Sequence, residues 1–371
     1  MIKKSLYFII IFIPLLSCSV SKISKKEAVY DKKSFEQALV EQNNIKHSLR
    51  ADAETQPVIS DNITDDCADD PAIWYNSKFP EKSIVFGSNK KRGIHSYDLT
   101  GKQKQFISYA KINNIDIRQN IILDNKEYDI LGGSNKSDKS IDLFIIDSNG
   151  KVKNKPDFTI GLGENFKPYG FCLYKNPKGQ FFAFVNDKKG NVFQIKIDIK
   201  DNKFLAKTIK KFKLNSQVEG MVADDKNEKL YVAEEDFGIH IFDLKNPDNK
   251  PEILNGSTKD NTKIRFDIEG IALLPPHYLV ASSQGNFTYA IFDLMEKKYI
   301  TSFKIISNIV DGVEDTDGLE IYTGYLNKKY PKGILVVQDG FNFDNDTLNF
   351  QNFKIIDIRK INKLIKKTTH P

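Results

Sequence analysis

The sequence predicts an all-β fold, a six-bladed β-propeller of four-stranded antiparallel blades. Short apolar strands recur at a spacing of about fifty residues, which is a period typical of propeller blades. Between them, apolar and polar residues alternate, and Gly, Asn, Asp and Pro stand at the breaks. This pattern favours antiparallel strands and leaves little room for helix.

The second strand of each repeat is the easiest to recognise, because an apolar run ends in a polar cluster. The six copies are SIVFGSNK at 83, YDILGGSNK at 128, FFAFVNDK at 181, KLYVAEED at 229, HYLVASSQGN at 277 and GILVVQDGFN at 333. A first strand precedes each copy, and a third strand with an aspartate near its end follows it. With room for a fourth strand between repeats, this gives six blades around a central channel, and the regular period argues against a pair of β-sandwiches.

The amino-terminal stretch MIKKSLYFIIIFIPLLSC combines two lysines, a short apolar run and a cysteine. It predicts a lipoprotein signal peptide over residues 1–17 with Cys18 as the lipidated residue; a plain secretory signal with a chance cysteine is the alternative. Residues 18–55 are predicted to be a polar tether that allows one short helix around residues 35–40. The propeller is expected from Gln56, over residues 56–363, with a tail over residues 364–371. We therefore expect an exported bacterial lipoprotein, anchored through Cys18 in the periplasm or at the outer membrane or cell surface.

Cysteine content and charge narrow the choice of partners. Cys67 and Cys172 are far apart, which favours buried free thiols over a disulfide framework. The net charge of +6 comes from scattered lysines, and no nucleic-acid-binding signature accompanies it. Nucleic acid is therefore not an expected partner, and nothing in the sequence indicates an oligomer, so a monomer is expected.

Acidic side chains gather where first strands begin and second strands end. In an antiparallel meander both points lie at the same end of the blade, so radial repetition brings them to one face. Turn capping explains any one of these residues well, but not the whole set. So many carboxylates need a cation, and oxygen ligands without a His or Cys cluster favour several calcium ions. The carboxylates are Asp69, Asp70, Asp116, Glu219, Glu234, Glu235, Asp236, Asp267, Glu269, Asp315, Asp317 and Asp339, and Tyr169, Asn286 and Asn342 are the neutral members of the same set of positions.

Basic side chains are expected on the other half of the same face. A face that is half acidic and half basic suits a polyanion that is held through its phosphates by Lys and Arg, with calcium bridging to the carboxylates. Taken singly, each lysine could equally be a solvated turn residue. The basic set comprises Lys90, Lys91, Arg92, Arg118, Lys136, Lys188 and Lys189.

Several long segments carry a resemblance to a known family. They are DDCADDPAIW, SNKKRGIHSYDLTGK, NNIDIR, YGFCLY, NSQVEGMVADD, LYVAEED, DIEGIALL, LVASSQGNFTYAIFDL, DTDGLEIY, YPKGILVVQDGFN and QNFKI. From about Thr64 to Lys360 the chain resembles the β-propeller phytases, the calcium-dependent alkaline phytase family. The resemblance implies hydrolysis of phosphomonoesters of phytate (myo-inositol hexakisphosphate) or calcium-phytate by a metal-activated water, releasing phosphate and lower inositol phosphates.

The resemblance also implies roles for individual residues. Glu219 would orient or deprotonate the attacking water, with Tyr169 and Asp70 beside it in the catalytic set. The ligands of active-site calcium ions would be Asp66, Asp69, Asp70, Tyr169, Glu219, Glu235, Asp267 and Glu269, and those of structural calcium Asp317, Asp339 and Asn342. The substrate phosphates would be held by Lys90, Lys91, Arg118 and Lys188. The chain departs from the family pattern at Cys67, between the acids of blade one, and at Asp187, before Lys188.

Two other functions stay open at this point. One is a non-catalytic surface propeller that binds a protein or glycan, since a fold alone decides no function. The acidic and basic face argues against it, because a binding platform would more naturally present exposed aromatic residues. The other is a metal-dependent phosphoesterase with a different phosphorylated substrate, which only a substrate panel would separate.

Overall fold

The computed structural model describes residues 32–200, 203–344 and 347–369. The first described elements are helix α1 (Lys32–Asn43) and two short strands, β1 (His47–Leu49) and β2 (Ala53–Glu54). The predicted signal peptide and the lipidation site Cys18 lie outside the described residues. No helix in the described part of the chain is long and apolar enough to cross a membrane.

Six antiparallel blades follow in chain order. Blade one contains β3 (Ala68–Trp74), β4 (Ile84–Asn89), β5 (Gly93–Tyr97) and β6 (Gln103–Ser108); blade two contains β7 (Ile112–Leu123), β8 (Lys126–Asn135), β9 (Ser140–Ile146) and β10 (Phe158–Gly161). Blade three contains β11 (Pro168–Lys175), β12 (Phe181–Asp187), β13 (Asn191–Lys200) and β14 (Lys203–Lys213); blade four contains β15 (Val218–Asp224), β16 (Lys229–Glu234), β17 (Gly238–Asp243) and β18 (Glu252–Ile253). Blade five contains β19 (Ile271–Leu274), β20 (Tyr278–Ser283), β21 (Thr288–Asp293) and β22 (Lys298–Ile305). Blade six contains β23 (Leu319–Thr323), β24 (Gly333–Asp339) and β27 (Asn352–Asp357), and a small hairpin of β25 (Phe343–Asp344) and β26 (Thr347–Leu348) projects between the last two. This confirms the predicted six-bladed propeller.

Neighbouring blades are held together by apolar clusters, one at each junction around the ring. Phe86 of blade one packs with Phe144 of blade two. At the junction where the ring closes, Tyr97 of blade one and Phe353 of blade six have ring centroids 6.4 Å apart. The middle strands are therefore buried on both faces, which explains why their sequences read as nearly continuous apolar runs.

The amino-terminal segment closes the ring, which the predicted tether over residues 18–55 did not anticipate. Strand β2 pairs antiparallel with β27, with Ala53 opposite Ile355, and so supplies the fourth strand of blade six. Strand β1 adds a parallel fifth strand to blade five beside β22. Two- and three-residue strands carry no local signal of their own, because their pairing depends on partners about 300 residues away in the chain. The short helix expected around residues 35–40 lies within α1.

The carboxyl-terminal segment also belongs to the fold. Residues 364–369, assigned from sequence to a tail, complete helix α2 (Ile358–Thr369). Its buried residues Ile361, Leu364 and Ile365 join the core between blades five and six. The spacing of three and four residues between them is the periodic signal of an amphipathic helix.

Candidate active site

The innermost strand of each blade begins with a matched position that faces one end of the channel. It is occupied by Asp69, Asn113, Tyr169, Glu219, Glu269 and Asp317, and we call these six residues the ring. The register places them at one end of the molecule, because Val218, next to Glu219, pairs with Glu234 at the end of the second strand. Blades one, two and three repeat this pairing, for example with Ala68 opposite Asn89.

Glycines let the ring residues of adjacent blades come close together. Gly170 and Gly220 follow Tyr169 and Glu219, and each lies against the backbone of the next blade. A Cβ atom at either glycine would lie 2.0 Å from the carbonyl oxygen of Glu219 or Glu269, respectively. Only glycine permits this approach, so a larger residue would push the strands and their carboxylates apart.

Four of the ring residues and Glu235 form two overlapping triads of carboxylates. Asp69, Glu219 and Asp317 offer oxygens that lie within 4.8 Å of one another, and so do Glu219, Glu235 and Glu269. All of these side chains are buried, and Glu219 belongs to both triads. Asn113 donates a 2.6 Å hydrogen bond to Glu219 Oε1, which fixes this shared carboxylate.

The protonation of these carboxylates reflects the crowding. Burial raises the pKa of Glu235 to about 8, with Glu219 as the next cause. Burial raises the pKa of Asp317 to about 7, although the nearby Lys90 ammonium acts in the opposite direction. Burial also raises the pKa values of Asp69 and Glu269 well above their ordinary range.

The triads fit a hard cation. Buried oxygens of Asp69, Glu235 and Glu269 have no hydrogen-bond partner in the described structure. Such oxygens are costly unless a positive ion balances them. An oxygen-only ligand set without His or Cys matches the preference of calcium.

Lys90 lies among the acids rather than in the basic half. Its ammonium lies 2.7 Å from Asp66 Oδ1 and 2.9 Å from Asp317 Oδ2, and 3.8 Å from Asp69 Oδ1. The predicted phosphate-binding lysine therefore supplies positive charge to the first triad. Lys91, the next residue, is exposed.

The basic half is a pocket beside Tyr169. The pocket has a volume of about 470 Å³ and is lined by Lys136, Lys139, Asn165, Lys167, Pro168, Tyr169, Asp187, Lys188 and Lys189; we call it the lysine pocket. The Lys188 ammonium lies 4.1 Å from the centroid of the Tyr169 ring, and that of Lys136 lies 5.5 Å from it. Burial raises the pKa of the Tyr169 hydroxyl, and the Glu219 charge raises it further. Tyr169 therefore keeps its proton and stands between the carboxylates and the lysines.

Asp187 does not neutralise Lys188 through a direct contact. Its Oδ1 accepts hydrogen bonds from the backbone N–H groups of Lys189 and Asn191, at 2.9 and 3.0 Å. Its Oδ2 accepts one from Asn191 Nδ2 at 2.8 Å. The carboxylate is thus committed to the turn. The Cys67 side chain points into the core, where its thiol donates a hydrogen bond to the Val58 carbonyl, away from the carboxylates.

Arg118 and Asp70 line a different part of the channel from the triads. Arg118 pairs with Asp116 at 2.8 Å and with Asp225 at 3.0 Å. Asp225 follows the end of β15, so this cluster lies toward the opposite end of the channel from Glu219. Asp70 and Arg118 both line a channel cavity of about 460 Å³. The Asp70 carboxylate accepts a 3.2 Å hydrogen bond from the Ile115 N–H. Strand alternation explains why Asp69 and Asp70 face different ways.

Asp339 and Asn342 also lie outside the two triads. The Lys354 ammonium, which is fully buried, lies 3.0 Å from Asp339 Oδ2 and donates a 3.2 Å hydrogen bond to Asn342 Oδ1. Asp339 is the last residue of β24 and points toward the third strand, as Glu234 does in blade four, where it meets His240 at 2.7 Å. The predicted structural-calcium ligands Asp339 and Asn342 therefore share a contact with the Lys354 ammonium.

The remaining predicted ligands lie at the rim of the triads. Asp66 is largely exposed and contacts Lys90, and Asp267 is half-buried. Lys136 and Asn113 are site residues that the predicted roles omitted. Lys136 Nζ donates to Asn113 Oδ1 at 2.8 Å. The repeat itself contained the signal, because Lys90, Lys136 and Lys188 each directly follow the second strand of their blade.

The fold and the site together define a class: a six-bladed propeller that places a buried carboxylate cation site beside a pocket for anionic groups. A family model described as Phytase matches residues 14–370. A 3-phytase of Bacillus subtilis (strain 168) is 40% identical over 333 residues, which cover 86% of this chain and 86% of that protein. The chain belongs to the phytase family. Among solved structures, a chain in a nidogen/laminin complex has a TM-score of 0.45 at 13% identity, over 64% of this chain and 79% of that one.

Proposed function

We propose that this protein is a calcium-dependent phytase that hydrolyses phosphomonoesters of phytate on the face formed by the ring and the lysine pocket. One observation carries the proposal: Glu219, shared by two buried carboxylate triads, is next to Tyr169, whose ring lies under Lys188. A cation site and a site for several phosphates therefore adjoin at a single residue pair. That adjacency is what hydrolysis of a highly phosphorylated substrate requires.

The residues of the chain divide the chemistry between them. Calcium bound by the triads would supply positive charge that ionises the carboxylates, lowers the pKa of an attacking water and neutralises charge on the transferring phosphoryl group. Glu219, whose orientation is held by a hydrogen bond from Asn113, would accept the proton of that water. The protonated Tyr169 hydroxyl can donate a hydrogen bond to a phosphate oxygen, and the lysines hold phosphates that are not being cleaved.

The direct test is phosphate release from phytate by the purified chain, measured after chelation with EDTA and again with calcium restored. Residues 32–55 must be kept, because they close the ring. Release that requires calcium would support the proposal. No release from phytate, together with release from another phosphomonoester in a substrate panel, would reassign the substrate; no release at all from calcium-loaded, folded protein would contradict the enzyme assignment.

The lysine pocket makes a separate prediction. Lys136→Ala and Lys188→Ala should each raise KM for phytate about tenfold, because each removes a charge-assisted contact to phosphate, with a smaller effect on kcat. A monophosphate substrate should be affected less, since it has no further phosphates for the pocket. Steady-state kinetics on both substrates measure the difference. Lys207→Ala on the exposed outer strand β14 is the matched control; equal KM values for all three variants and the wild type would contradict the role of the pocket.

We also propose that the mature protein is attached to a membrane through lipid on Cys18. The pattern of two lysines, an apolar run and Leu-Leu-Ser-Cys supports it. In cells that process lipoproteins, wild-type protein should partition into detergent and carry a lipid mass on its first residue. Cys18→Ser should partition into the aqueous phase; unchanged partitioning would contradict the anchor.

A further inference from the structure

Helix α1 packs against blades five and six at the same end as the carboxylates. Phe35 and Ala38 are buried, at 8% and 4% exposure, against Phe287 and the partly buried Phe341. The Phe35 ring lies 5.4 Å from that of Phe287 and 5.2 Å from that of Phe341, between centroids. The amino-terminal helix thus bridges the connecting segments of two blades that contribute to the acidic half.

A cavity between this helix and the propeller places α1 beside the acids. The cavity has a volume of about 310 Å³, and its walls include Ser34, Phe35 and Ala38 on the helix side. On the propeller side they include Asp267 and Asp315. Burial raises the pKa values of both carboxyls, that of Asp315 to about 6. The helix therefore forms part of the surroundings of two acidic residues, one of them a predicted calcium ligand.

Three hydrogen bonds lead from the helix to the backbone of Asp267. Gln42 Nε2 donates to the Phe287 carbonyl at 3.1 Å. The Phe287 N–H donates to the Gln284 carbonyl at 3.0 Å, and the Gln284 N–H donates to the Asp267 carbonyl at 2.9 Å. The link between Phe287 and Gln284 lies within one turn, whereas the other two join segments far apart in the chain, so the path connects α1 to the backbone of Asp267.

The backbone conformation of Phe287, the middle residue of this path, depends on contacts with other parts of the chain. Phe287 has a φ of 53°, in the left-handed region that bulky residues rarely adopt. Such a conformation persists where the surrounding structure holds it in place. Here the support comes from α1, through the Phe35 ring on one side and the Gln42 amide on the other.

A second connection runs from the helix to the segment before Asp267. Glu41 pairs with the guanidinium of Arg265. The Arg265 N–H donates to Ser283 Oγ at 2.8 Å, and Ser283 Oγ donates back to the Arg265 carbonyl at 2.8 Å. Two connections therefore hold the backbone near Asp267. One is the ion pair of Glu41 with Arg265, and the other is the hydrogen bond from Gln284, which is linked to α1 through Phe287.

We propose that helix α1 is a positioning element of the calcium site: it fixes Asp267 and the adjoining acidic loops of blades five and six, and so sets the affinity of the acidic half for calcium. This rests on the proposed function in so far as calcium is the cation of that site. The contacts of α1 described above run to blades five and six, and none of them involves a residue that lines the lysine pocket. The helix should therefore change calcium affinity without changing substrate recognition.

The test compares the calcium affinities of full-chain variants. Each chelated protein is titrated with calcium in an isothermal titration calorimeter. Phe35→Ala combined with Gln42→Ala should weaken calcium binding about tenfold, the size of loss typical when groups that orient metal ligands are removed. Val40→Ser is the control on the same helix, at a side chain that is 64% exposed. Leu364→Ala is the control for lost stability, because Leu364 is 7% exposed in helix α2 and packs in the apolar cluster between blades five and six.

The outcomes separate positioning from plain packing. A weaker calcium affinity in the Phe35/Gln42 variant, with affinities of both controls unchanged and KM for phytate at saturating calcium unchanged, would support the proposal. A lower Tm with wild-type calcium affinity, as expected for Leu364→Ala, would overturn it, and so would a wild-type protein that binds no calcium. If calcium binding shifts as expected but the wild type releases no phosphate from phytate, the proposed function fails and the positioning role stands.

Discussion

Glu219→Gln is expected to lower kcat for phosphate release from phytate by about 10³-fold while the propeller stays folded. Among the described residues, Glu219 is the carboxylate shared by both triads, so the change removes one negative charge from each cation position and the acceptor for the proton of water. Glutamine keeps the shape, and its carbonyl oxygen can still accept the 2.6 Å hydrogen bond from Asn113. The measurement is kcat at saturating calcium, together with Tm.

The control for this variant is Glu320→Gln, in the same channel. Glu320 lines the cavity that contains Arg118, toward the other end from the triads, and burial raises its pKa to about 8. It is a buried carboxyl in a similar medium, yet it belongs to neither triad, so its neutralisation should leave kcat unchanged. Equal losses in both variants would indicate that overall channel charge is what matters, and a wild-type kcat in Glu219→Gln would remove this residue from the mechanism.

The blade pattern and most of the acidic ring could be predicted from the sequence, because both depend on local periodicity. Asp69, Glu219, Glu269 and Asp317 each stand at the beginning of a first strand, and the repeat fixes that position in every blade. Antiparallel pairing then dictates that these residues share one end of the molecule. The same reasoning supports Lys136, which follows its second strand as Lys90 and Lys188 follow theirs.

Asp70, Arg118 and Asp339 lie apart from the triads because of shifts of a few residues along a strand. Asp339 ends its strand and points at Lys354, whereas the next position along the chain is the one that Glu235 occupies in blade four. A shift of one residue exchanges the two faces of a strand. Arg118 lies further along β7 than the ring residue Asn113, and at about 3.4 Å per residue that separation moves it well toward the opposite end of the channel.

Ring closure was beyond local sequence reasoning for a different reason. Strand β2 has two residues, and its partner Ile355 lies at the other end of the chain. Helix α1 is amphipathic only in part, and its apolar face is defined by Phe287 and Phe341, which are also distant in sequence. From the sequence alone such segments resemble a polar linker, because the surface against which they pack is formed by residues that are distant in the chain.

Chelated protein is expected to lose stability as pH rises from about 5 to about 8, and calcium should reverse this loss. Burial and the neighbouring Glu219 charge raise the pKa of Glu235 to about 8. Burial raises the pKa of Asp317 to about 7. In the unfolded chain these groups ionise near their ordinary values, so between the two pKa values the native state binds more protons. Its free energy of unfolding then falls as pH rises through the folded-state pKa.

On the proposed function, calcium would bind the ionised carboxylates, so its affinity should rise over the same pH range, with release of protons on binding. At pH 8, calcium at about 100 times its Kd should raise Tm by roughly 4 °C per bound ion over the chelated protein, and the gain should be smaller at pH 5. Thermal unfolding with EDTA and with calcium across this range measures both slopes. Glu235→Gln, which cannot ionise at this position, should flatten the slope of the chelated protein. A Tm of chelated wild type that stays level or rises between pH 5 and pH 8 would show that the triads are ionised and balanced without calcium.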